Sequence, residues 1–209
     1  MTLLTRLLSQ ILVVGTILSA GSAHSQATRV VALGDSNTAG YGVGGPAAFP
    51  AQLEAMLRTR GYNVEVLNAG ISGDTTRGML ARLDSAVPPG TQIVIVQGGY
   101  NDLRRGSTPD LIAGNIDAIL ARLRARQVRA VLCGFYDQPW DVIAKRYGAT
   151  FVGSSVCYDS ASRGFDGLHM NASGHQVVAA RLLPVVERML PRVSPAQEQQ
   201  RPVGRARPR

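Results

Sequence analysis

Five short apolar runs alternate with longer amphipathic stretches along the middle of this chain, and that alternation restricts the folds it can adopt. The runs are rich in β-branched residues and end at turn residues. The run at residues 93–96 is continuously apolar, which is typical of a strand covered on both faces. Strands that alternate with helices predict an α/β fold, with right-handed crossovers and a parallel sheet covered on both faces. The predicted strands lie at residues 28–34, 62–68, 91–97, 128–134 and 149–155.

Three of the stretches between and after these runs carry helix signals. Thr108 is a good N-cap and Pro109 suits the first helical position, so a helix is predicted from there. A second helix is predicted around residues 49–57. The last is predicted from about residue 172 to 190, with Pro184 expected to kink it. The apolar face predicted for the helix after Thr108 consists of Leu111, Ile112, Ile116, Ile119, Leu120 and Leu123.

The first 25 residues have the pattern of a secretory signal peptide. Arg6 precedes an uncharged apolar run over residues 7–20, and small residues follow that run. The run is short for a membrane span, so removal of residues 1–25 is favoured over anchoring. We therefore expect a periplasmic or secreted protein whose folded domain covers residues 26–190.

Residues 191–209 are predicted to be a disordered basic tail, because they are rich in Pro, Gln and Arg and contain almost no large apolar side chains. The tail holds five arginines and one glutamate, and so carries +4 of the chain's formal net charge of +8. For an exported protein this charge favours weak contact with an anionic membrane surface or envelope polymer over nucleic acid. The alternative is a solvated tail without a partner. A monomer is favoured, although the sequence does not fix the oligomeric state.

Cys133 and Cys157 are the chain's two cysteines, and the sequence leaves two states open for them. Export permits a disulfide, which would close a short loop. Cys133 also lies within an apolar run, where a buried free thiol is a common core residue.

Chemistry-bearing residues cluster in four loops that follow predicted strands or precede the last predicted helix. In a parallel sheet, the loops after the carboxyl ends of the strands converge on one crevice, where ligands bind. We therefore expect the four loops to meet. They read GDSNT at residues 34–38, NAGISGDT at 68–75, GGYND at 98–102 and DGLHMNASGH at 166–175.

The four loops hold the groups that acyl transfer by a serine requires. Ser36 lies at a strand-to-helix turn and is the predicted nucleophile. His169 is the predicted base, and Asp166, three residues earlier, can accept a hydrogen bond from its Nδ1–H. The predicted oxyanion donors are the backbone N–H of Ser36, the backbone N–H of Gly73 and the side-chain amide of Asn101.

Together, Ser36, Gly73, Asn101 and His169, with Asp166 as the acid, resemble the motif residues of the SGNH hydrolases, also called GDSL esterases and lipases. The chain looks most similar to small exported bacterial enzymes with arylesterase, thioesterase and lysophospholipase activities. The resemblance implies a flavodoxin-like three-layer α/β/α sandwich with five parallel strands. It also implies a serine hydrolase that cleaves a small-molecule ester or thioester through an acyl-serine intermediate, with no metal or cofactor.

Three features depart from the pattern of that family. Asn37 stands where a leucine often follows the serine, and Met170 stands where a proline often follows the histidine. The stretch between residues 136 and 165 looks shorter than in the exported thioesterases. Because that stretch would line the acyl pocket, the family's chain-length preference is not carried over.

Five further residues are candidates for contact with substrate. Tyr41, Tyr100 and Trp140 are predicted to line the cleft, and the alternative for each is packing against the protein's own core. Arg104 and Arg105 are placed to attract anionic substrates, and the alternative is a solvated pair.

Asp35 and His175 lie close in sequence to predicted catalytic residues, but we assign them supporting roles. Asp35 is expected to fix its loop, and His175 to support the last helix. A glycine pattern at residues 40–45 is displaced from the strand end, and Glu65 lies inside the second strand, so a dinucleotide site is not favoured. Two other functions stay open: a carbohydrate O-deacetylase, and a non-catalytic envelope protein that holds an acyl or glycan ligand.

Overall fold

The computed structural model describes residues 26–135 and 139–191. Neither the predicted signal peptide at residues 1–25 nor residues 192–209 of the predicted tail fall within them. In chain order the elements are β1 (Thr28–Gly34), α1 (Ser36–Ala39), a 3₁₀ turn (Gly45–Ala47), α2 (Phe49–Thr59), β2 (Val64–Gly70), α3 (Thr76–Ala81), α4 (Leu83–Ala86), β3 (Thr91–Gln97), α5 (Tyr100–Arg104), α6 (Pro109–Ala125), β4 (Arg129–Cys133), α7 (Trp140–Tyr147), β5 (Thr150–Val152), α8 (Ser154–Cys157) and α9 (Ala172–Glu187).

The five strands form one sheet in the order β2-β1-β3-β4-β5, and every neighbouring pair is parallel. This order is the flavodoxin-like one, in which ligands bind where the strand order reverses, outside the carboxyl ends of the strands. Gly34 at the end of β1 lies beside Gly70 of β2 and Gln97 of β3. The predicted α/β fold with a five-stranded parallel sheet is therefore confirmed.

Apolar side chains on the two faces of the sheet pack against different helices, which gives three layers. Two hydrophobic clusters result, one on each face of the sheet. In β1, Val30 and Ala32 belong to the first cluster and Val31 and Leu33 to the second, because successive side chains of a strand point to opposite faces. The first cluster includes buried side chains of α2 and α9, and the second includes those of α3, α6 and α7. Because both faces are covered, β1 reads as a continuous apolar run.

Helix α6 begins as the sequence predicts, but one residue of its predicted apolar face is wrong. The Thr108 hydroxyl accepts a hydrogen bond from the N–H of Leu111, and Pro109 is the first helical residue. Leu111 itself is 61% exposed. The buried face starts at Ile112 and recurs at helical spacing, and Leu111 lies about 100° around the helix from it.

The last helix, α9, contains Pro184 and continues beyond it to Glu187, three residues short of the predicted end. No helix among the described residues is long and apolar enough to cross a membrane.

Candidate active site

The four loops predicted to converge do meet, at the carboxyl edge of the sheet. They border an open cleft with a volume of about 670 Å³. Ser36, Gly73, Asn101 and His169, one residue from each loop, line this cleft.

The turn that carries Ser36 is held by close backbone packing. A Cβ on Gly34 would lie 2.0 Å from the hydroxyl oxygen of Thr38, and a Cβ on Gly70 would lie 2.2 Å from the backbone nitrogen of Ala39. Only glycine fits at either position, so β1 and β2 can approach α1 closely. Ser36 is the first residue of α1 and is 8% exposed.

Asp35 caps this short helix. Its carboxylate accepts a 3.0 Å hydrogen bond from the backbone N–H of Asn37. Burial raises the pKa of Asp35 to about 6, partly opposed by hydrogen bonds from the Asn37 N–H and the Gln97 side chain. Gln97 also accepts a 2.8 Å bond from the Thr38 hydroxyl. The expected role of Asp35, to fix its loop, agrees with this geometry.

Ser36, His169 and Asp166 form a connected chain of hydrogen bonds. The Nε2 of His169 lies 2.9 Å from the Oγ of Ser36, and its Nδ1 lies 2.5 Å from the Oδ2 of Asp166. The other carboxylate oxygen of Asp166 accepts from the backbone N–H groups of Leu168 and His169. These bonds, with that from the imidazole largest, lower the pKa of Asp166 to about 2, so the carboxylate is ionised at neutral pH.

The segment that carries the pair, residues 158–171, is here called the base loop. Backbone bonds cross it: Gly164 N–H donates to the His169 carbonyl at 2.7 Å, and Asn171 N–H donates to the Ser162 carbonyl at 2.9 Å. The Tyr158 hydroxyl donates to the Leu168 carbonyl at 2.6 Å.

Two side chains give the base loop further support. Arg163 donates from Nη1 to the Gly167 carbonyl at 3.0 Å. Met170, which stands where the family often has proline, is 1% exposed, and its sulfur accepts from the N–H of Asp159. Burial of this side chain anchors the loop at the position where a proline would have stiffened it.

Cys133 and Cys157 are joined by a disulfide. Cys133 ends β4, and Cys157 ends α8 immediately before the base loop. Both line the cleft. The disulfide, one of the two states the sequence left open, therefore ties the start of the base loop to the sheet.

The other side of the cleft is formed by residues 71–75, here called the oxyanion loop, and by the start of α5. Gly73 has a φ of +79°, a conformation that favours glycine. The side-chain amide of Asn101 donates to the backbone carbonyl of Asp74 at 2.9 Å. Asp102, 1% exposed, accepts from both the backbone N–H and the hydroxyl of Thr76, and so joins α5 to α3.

The aromatic residues predicted to contact substrate divide into two groups. Tyr41 and Tyr100 line the cleft, and the ring centroid of Tyr41 lies 4.5 Å from that of the His169 imidazole. The prediction for Trp140 is wrong, because its side chain is 3% exposed within the hydrophobic core and its indole N–H donates to the Phe135 carbonyl. Sequence alone did not separate a core aromatic at a helix start from one facing the cleft.

The two neighbouring arginines also differ. Arg104 lies over the ring of Tyr100, with its Cζ 5.9 Å from the ring centroid. Arg105 donates from Nη2 to the Gly73 carbonyl at 2.8 Å. They are therefore not an equivalent solvated pair.

His175 is fully buried and supports a different helix from the one that contains it. Its Nδ1 accepts a 3.2 Å hydrogen bond from the N–H of Phe49, the first residue of α2. Its Nε2 is buried without a hydrogen-bond partner among the described residues. Burial, with a smaller effect from His169, lowers the pKa of His175 to about 4, so the ring is neutral.

Sequence reasoning missed Gln97 and gave no role to Tyr158 or Arg163. The available signal for Gln97 was a polar residue that ends an otherwise apolar strand. No pattern marked Tyr158 or Arg163, since their contacts are with backbone carbonyls of the base loop.

Comparison with known proteins places this site in a family. The chain is 34% identical over 132 residues to an arylesterase of Vibrio mimicus, covering 62% of this chain and 65% of that protein. It is 32% identical over 117 residues to the esterase TesA of Pseudomonas aeruginosa, covering 56% of this chain and 58% of that protein. The matched segment thus spans less than two thirds of either curated relative.

A solved structure of AlinE4, an esterase of the SGNH-hydrolase family, is matched over 80% of this chain and 99% of that one. The identity is 30% and the TM-score is 0.62. The model of the GDSL-like lipase/acylhydrolase family matches residues 32–151, which include the Ser36 turn, the oxyanion loop and the start of α5. These matches, and the agreement in fold, show that the chain belongs to the GDSL-like lipase/acylhydrolase family, the SGNH hydrolases.

Proposed function

We propose that this protein is a serine hydrolase that cleaves carboxylic esters through an acyl-serine intermediate. The observation that carries the proposal is the unbroken chain from the Ser36 hydroxyl to the His169 imidazole to the Asp166 carboxylate, with separations of 2.9 and 2.5 Å. It lies at the ligand-binding edge of the sheet, in a cleft open to solvent.

In the acylation step, the Oγ of Ser36 attacks the ester carbonyl carbon while Nε2 of His169 takes the hydroxyl proton. The ionised Asp166 holds the ring through Nδ1 and stabilises the imidazolium that forms. The tetrahedral intermediate collapses as the imidazolium returns its proton to the leaving alkoxide. The alcohol departs and leaves the acyl group on Ser36.

In the deacylation step, water takes the place of the alcohol. His169 removes a proton from the water as its oxygen attacks the acyl carbonyl, and then protonates the Ser36 oxygen as the acid is released. Ser36 N–H, Gly73 N–H and the Asn101 amide are the donors that we assign to the oxyanion in both steps. Each such donor is typically worth about 10² to 10³ in rate.

The shape of the cleft favours acyl groups longer than acetyl. Its volume of about 670 Å³ is in the range of sites for drug-sized ligands, and Tyr100 and Phe135 contribute apolar lining. A carbohydrate O-deacetylase remains the runner-up, since the same chemistry acts on acetylated sugars. We favour an arylesterase, thioesterase or lysophospholipase type of substrate, and no nucleic acid partner.

A non-catalytic envelope protein that only binds an acyl or glycan ligand is less well supported. Binding alone would not require an imidazole oriented at both nitrogens, nor a buried serine hydroxyl in hydrogen-bond reach of it. We further propose a monomeric periplasmic or secreted protein, with residues 1–25 as its signal, 26–190 as the catalytic domain and 191–209 as a disordered basic tail.

The test compares the wild-type protein with Ser36→Ala on p-nitrophenyl esters from acetate to palmitate, with acetylated sugar and acyl-thioester substrates alongside. We expect turnover that depends on Ser36 and peaks at a chain length above acetate. A peak on acetylated sugars would favour the deacetylase. Retention of most activity by Ser36→Ala would contradict the mechanism, and absence of turnover by folded wild type on every substrate would favour the binding protein.

A further inference from the structure

The oxyanion loop has little apolar burial to hold it in place. Ile71 and Ser72 are exposed, and Gly73 at the tip is in the positive-φ region. An exposed loop of this kind keeps one conformation only if hydrogen bonds specify it. Its function would demand such specification, because an oxyanion donor must point at the reacting oxygen before the reaction begins.

Two side chains bind consecutive carbonyls of this loop. Arg105 Nη2 donates to the Gly73 carbonyl at 2.8 Å, and the Asn101 amide donates to the Asp74 carbonyl at 2.9 Å. The carbonyl of Gly73 and its N–H flank the same Cα, so fixing the carbonyl restricts the direction of the N–H. An amide has two N–H groups, so one bond to Asp74 leaves the second N–H of Asn101 for the cleft.

We propose that Arg105 is a positioning residue for the oxyanion donors, an inference that rests on the proposed ester hydrolysis. It acts through the Gly73–Asp74 segment and touches no substrate. By holding the Gly73 carbonyl it limits the orientations open to the Gly73 N–H in the preceding peptide plane, and it acts on the Asn101 amide through the neighbouring Asp74 carbonyl.

The elements on which these groups lie make the arrangement rigid. Asn101 is the second residue of α5, and Arg105 is its C-cap, so one short helix carries both donors to the loop. Asp102 in the same helix binds the backbone and hydroxyl of Thr76, directly after the loop. The segment from Gly73 to Thr76 is thereby bound to α5 at three of its four residues, Gly73, Asp74 and Thr76.

The test measures kcat and KM for p-nitrophenyl butyrate in Arg105→Ala, Arg105→Lys and two controls. Arg124→Ala removes an exposed arginine that donates to the Tyr147 carbonyl and does not line the cleft. Arg58→Ala removes another arginine that donates to a backbone carbonyl, that of Val64, far from the cleft. Inhibition by butylboronic acid, whose tetrahedral serine adduct mimics the intermediate, is measured for each variant.

We expect Arg105→Ala to lower kcat about tenfold with KM changed less than about twofold, as loss of one charge-assisted hydrogen bond predicts. Affinity for butylboronic acid should fall by about the same factor. Arg105→Lys, which keeps a donor, should recover part of the loss, and both controls should retain kcat within about twofold. In an Asn101→Ala background the effect of Arg105→Ala should shrink, because both act on one unit.

Three results would overturn the inference: an unchanged kcat in Arg105→Ala, a loss confined to KM, or an equal loss of kcat in Arg124→Ala. The inference would also be overturned if Arg105→Ala lowered kcat and the melting temperature together and Arg58→Ala lowered both by the same amounts, because Arg105 would then have a structural role only. The proposed function fails separately, through activity retained by Ser36→Ala. An inactive Ser36→Ala beside a fully active Arg105→Ala would reject this inference alone.

Discussion

The turn that carries Ser36 and the loop that carries His169 face each other, with the Oγ of Ser36 2.9 Å from the Nε2 of His169, yet different forces hold them in place. The turn follows β1, whose residues from Val30 to Leu33 are fully buried, and close glycine contacts fix its direction. The base loop buries only Asp159 and Met170, and is held mainly by hydrogen bonds to backbone carbonyls.

This difference predicts how each side responds to change. Core packing specifies the turn, so disturbing it should destabilise the whole domain. Polar contacts specify the base loop, so disturbing it should reduce activity more than stability. Beyond the contact between Ser36 and His169, elements on either side of the base loop are tied to the rest of the fold: the disulfide joins α8 to β4, and a hydrogen bond joins His175 of α9 to α2.

The largest expected effect comes from removing the base itself. His169→Ala should lower kcat for p-nitrophenyl butyrate by about 10⁴-fold or more, and Asp166→Asn by somewhat less, because serine and histidine act as one unit. The melting temperature should change by only a few degrees, because the ring lies outside the core. A variant that lost most of its stability as well would contradict the contrast between the two regions.

Removal of the disulfide should have the next largest effect. Its 24-residue separation predicts that the double variant Cys133→Ala and Cys157→Ala loses about 3 kcal/mol of unfolding free energy. Denaturant unfolding measures that loss, and limited proteolysis should cut first within the base loop. Oxidised wild type that is no more stable than the double variant would contradict the proposed tie.

Acid should weaken the contact between α2 and α9. The pKa of His175 is lowered to about 4, below its ordinary value of 6.5, so the unfolded chain binds the proton first as pH falls. Its contribution to stability is complete above pH 6.5 and declines below it, by about 2 to 3 kcal/mol at pH 4.5.

His175→Asn, whose side-chain oxygen can replace Nδ1 as acceptor, should remove this decline. The comparison isolates His175 because Asp35, with its pKa raised to about 6, acts with the opposite sign in both proteins. Unfolding free energies are measured at pH 7 and pH 4.5. Equal losses in the two proteins would reject the assignment.

The smallest expected effect separates the base loop from a tyrosine hydrogen bond remote from the cleft. Tyr158→Phe removes the 2.6 Å bond to the Leu168 carbonyl, and Tyr147→Phe removes a 2.6 Å bond to Asp117 at the opposite end of the sheet. Tyr158→Phe should cost about 1 kcal/mol of stability, and Tyr147→Phe, whose partner is a carboxylate, about 2 kcal/mol. Only Tyr158→Phe should lower kcat, by about threefold to tenfold, and an equal effect of both on kcat would contradict the account.

The parts of this molecule that the sequence predicted are those governed by periodicity and strand order. Continuous apolar runs such as Ile93–Val96 indicate a sheet covered on both faces, and parallel strands bring their carboxyl ends together. Those two facts predict that Ser36 and the loops after the neighbouring strands meet at one edge, and His169, 133 residues from Ser36, reaches the same cleft from the loop before α9.

The parts that the sequence did not predict depend on side-chain direction. Trp140 turns into the core although it was predicted to line the cleft, and Leu111 turns outward although it was predicted to lie on the apolar face of its helix. Arg104 and Arg105 are chemically identical neighbours, and only the end of α5 sends one to the Tyr100 ring and the other to the Gly73 carbonyl. Such choices are set by tertiary packing, which a local pattern does not encode.

The most direct test of the central claim is covalent labelling of the nucleophile. The protein is incubated with a p-nitrophenyl alkylphosphonate, and intact and peptide mass spectrometry locate the adduct. The account predicts a single phosphonyl group on Ser36, loss of esterase activity in proportion to labelling, and no label on Ser36→Ala. A label on another residue, or full activity of the Ser36-labelled protein, would contradict it.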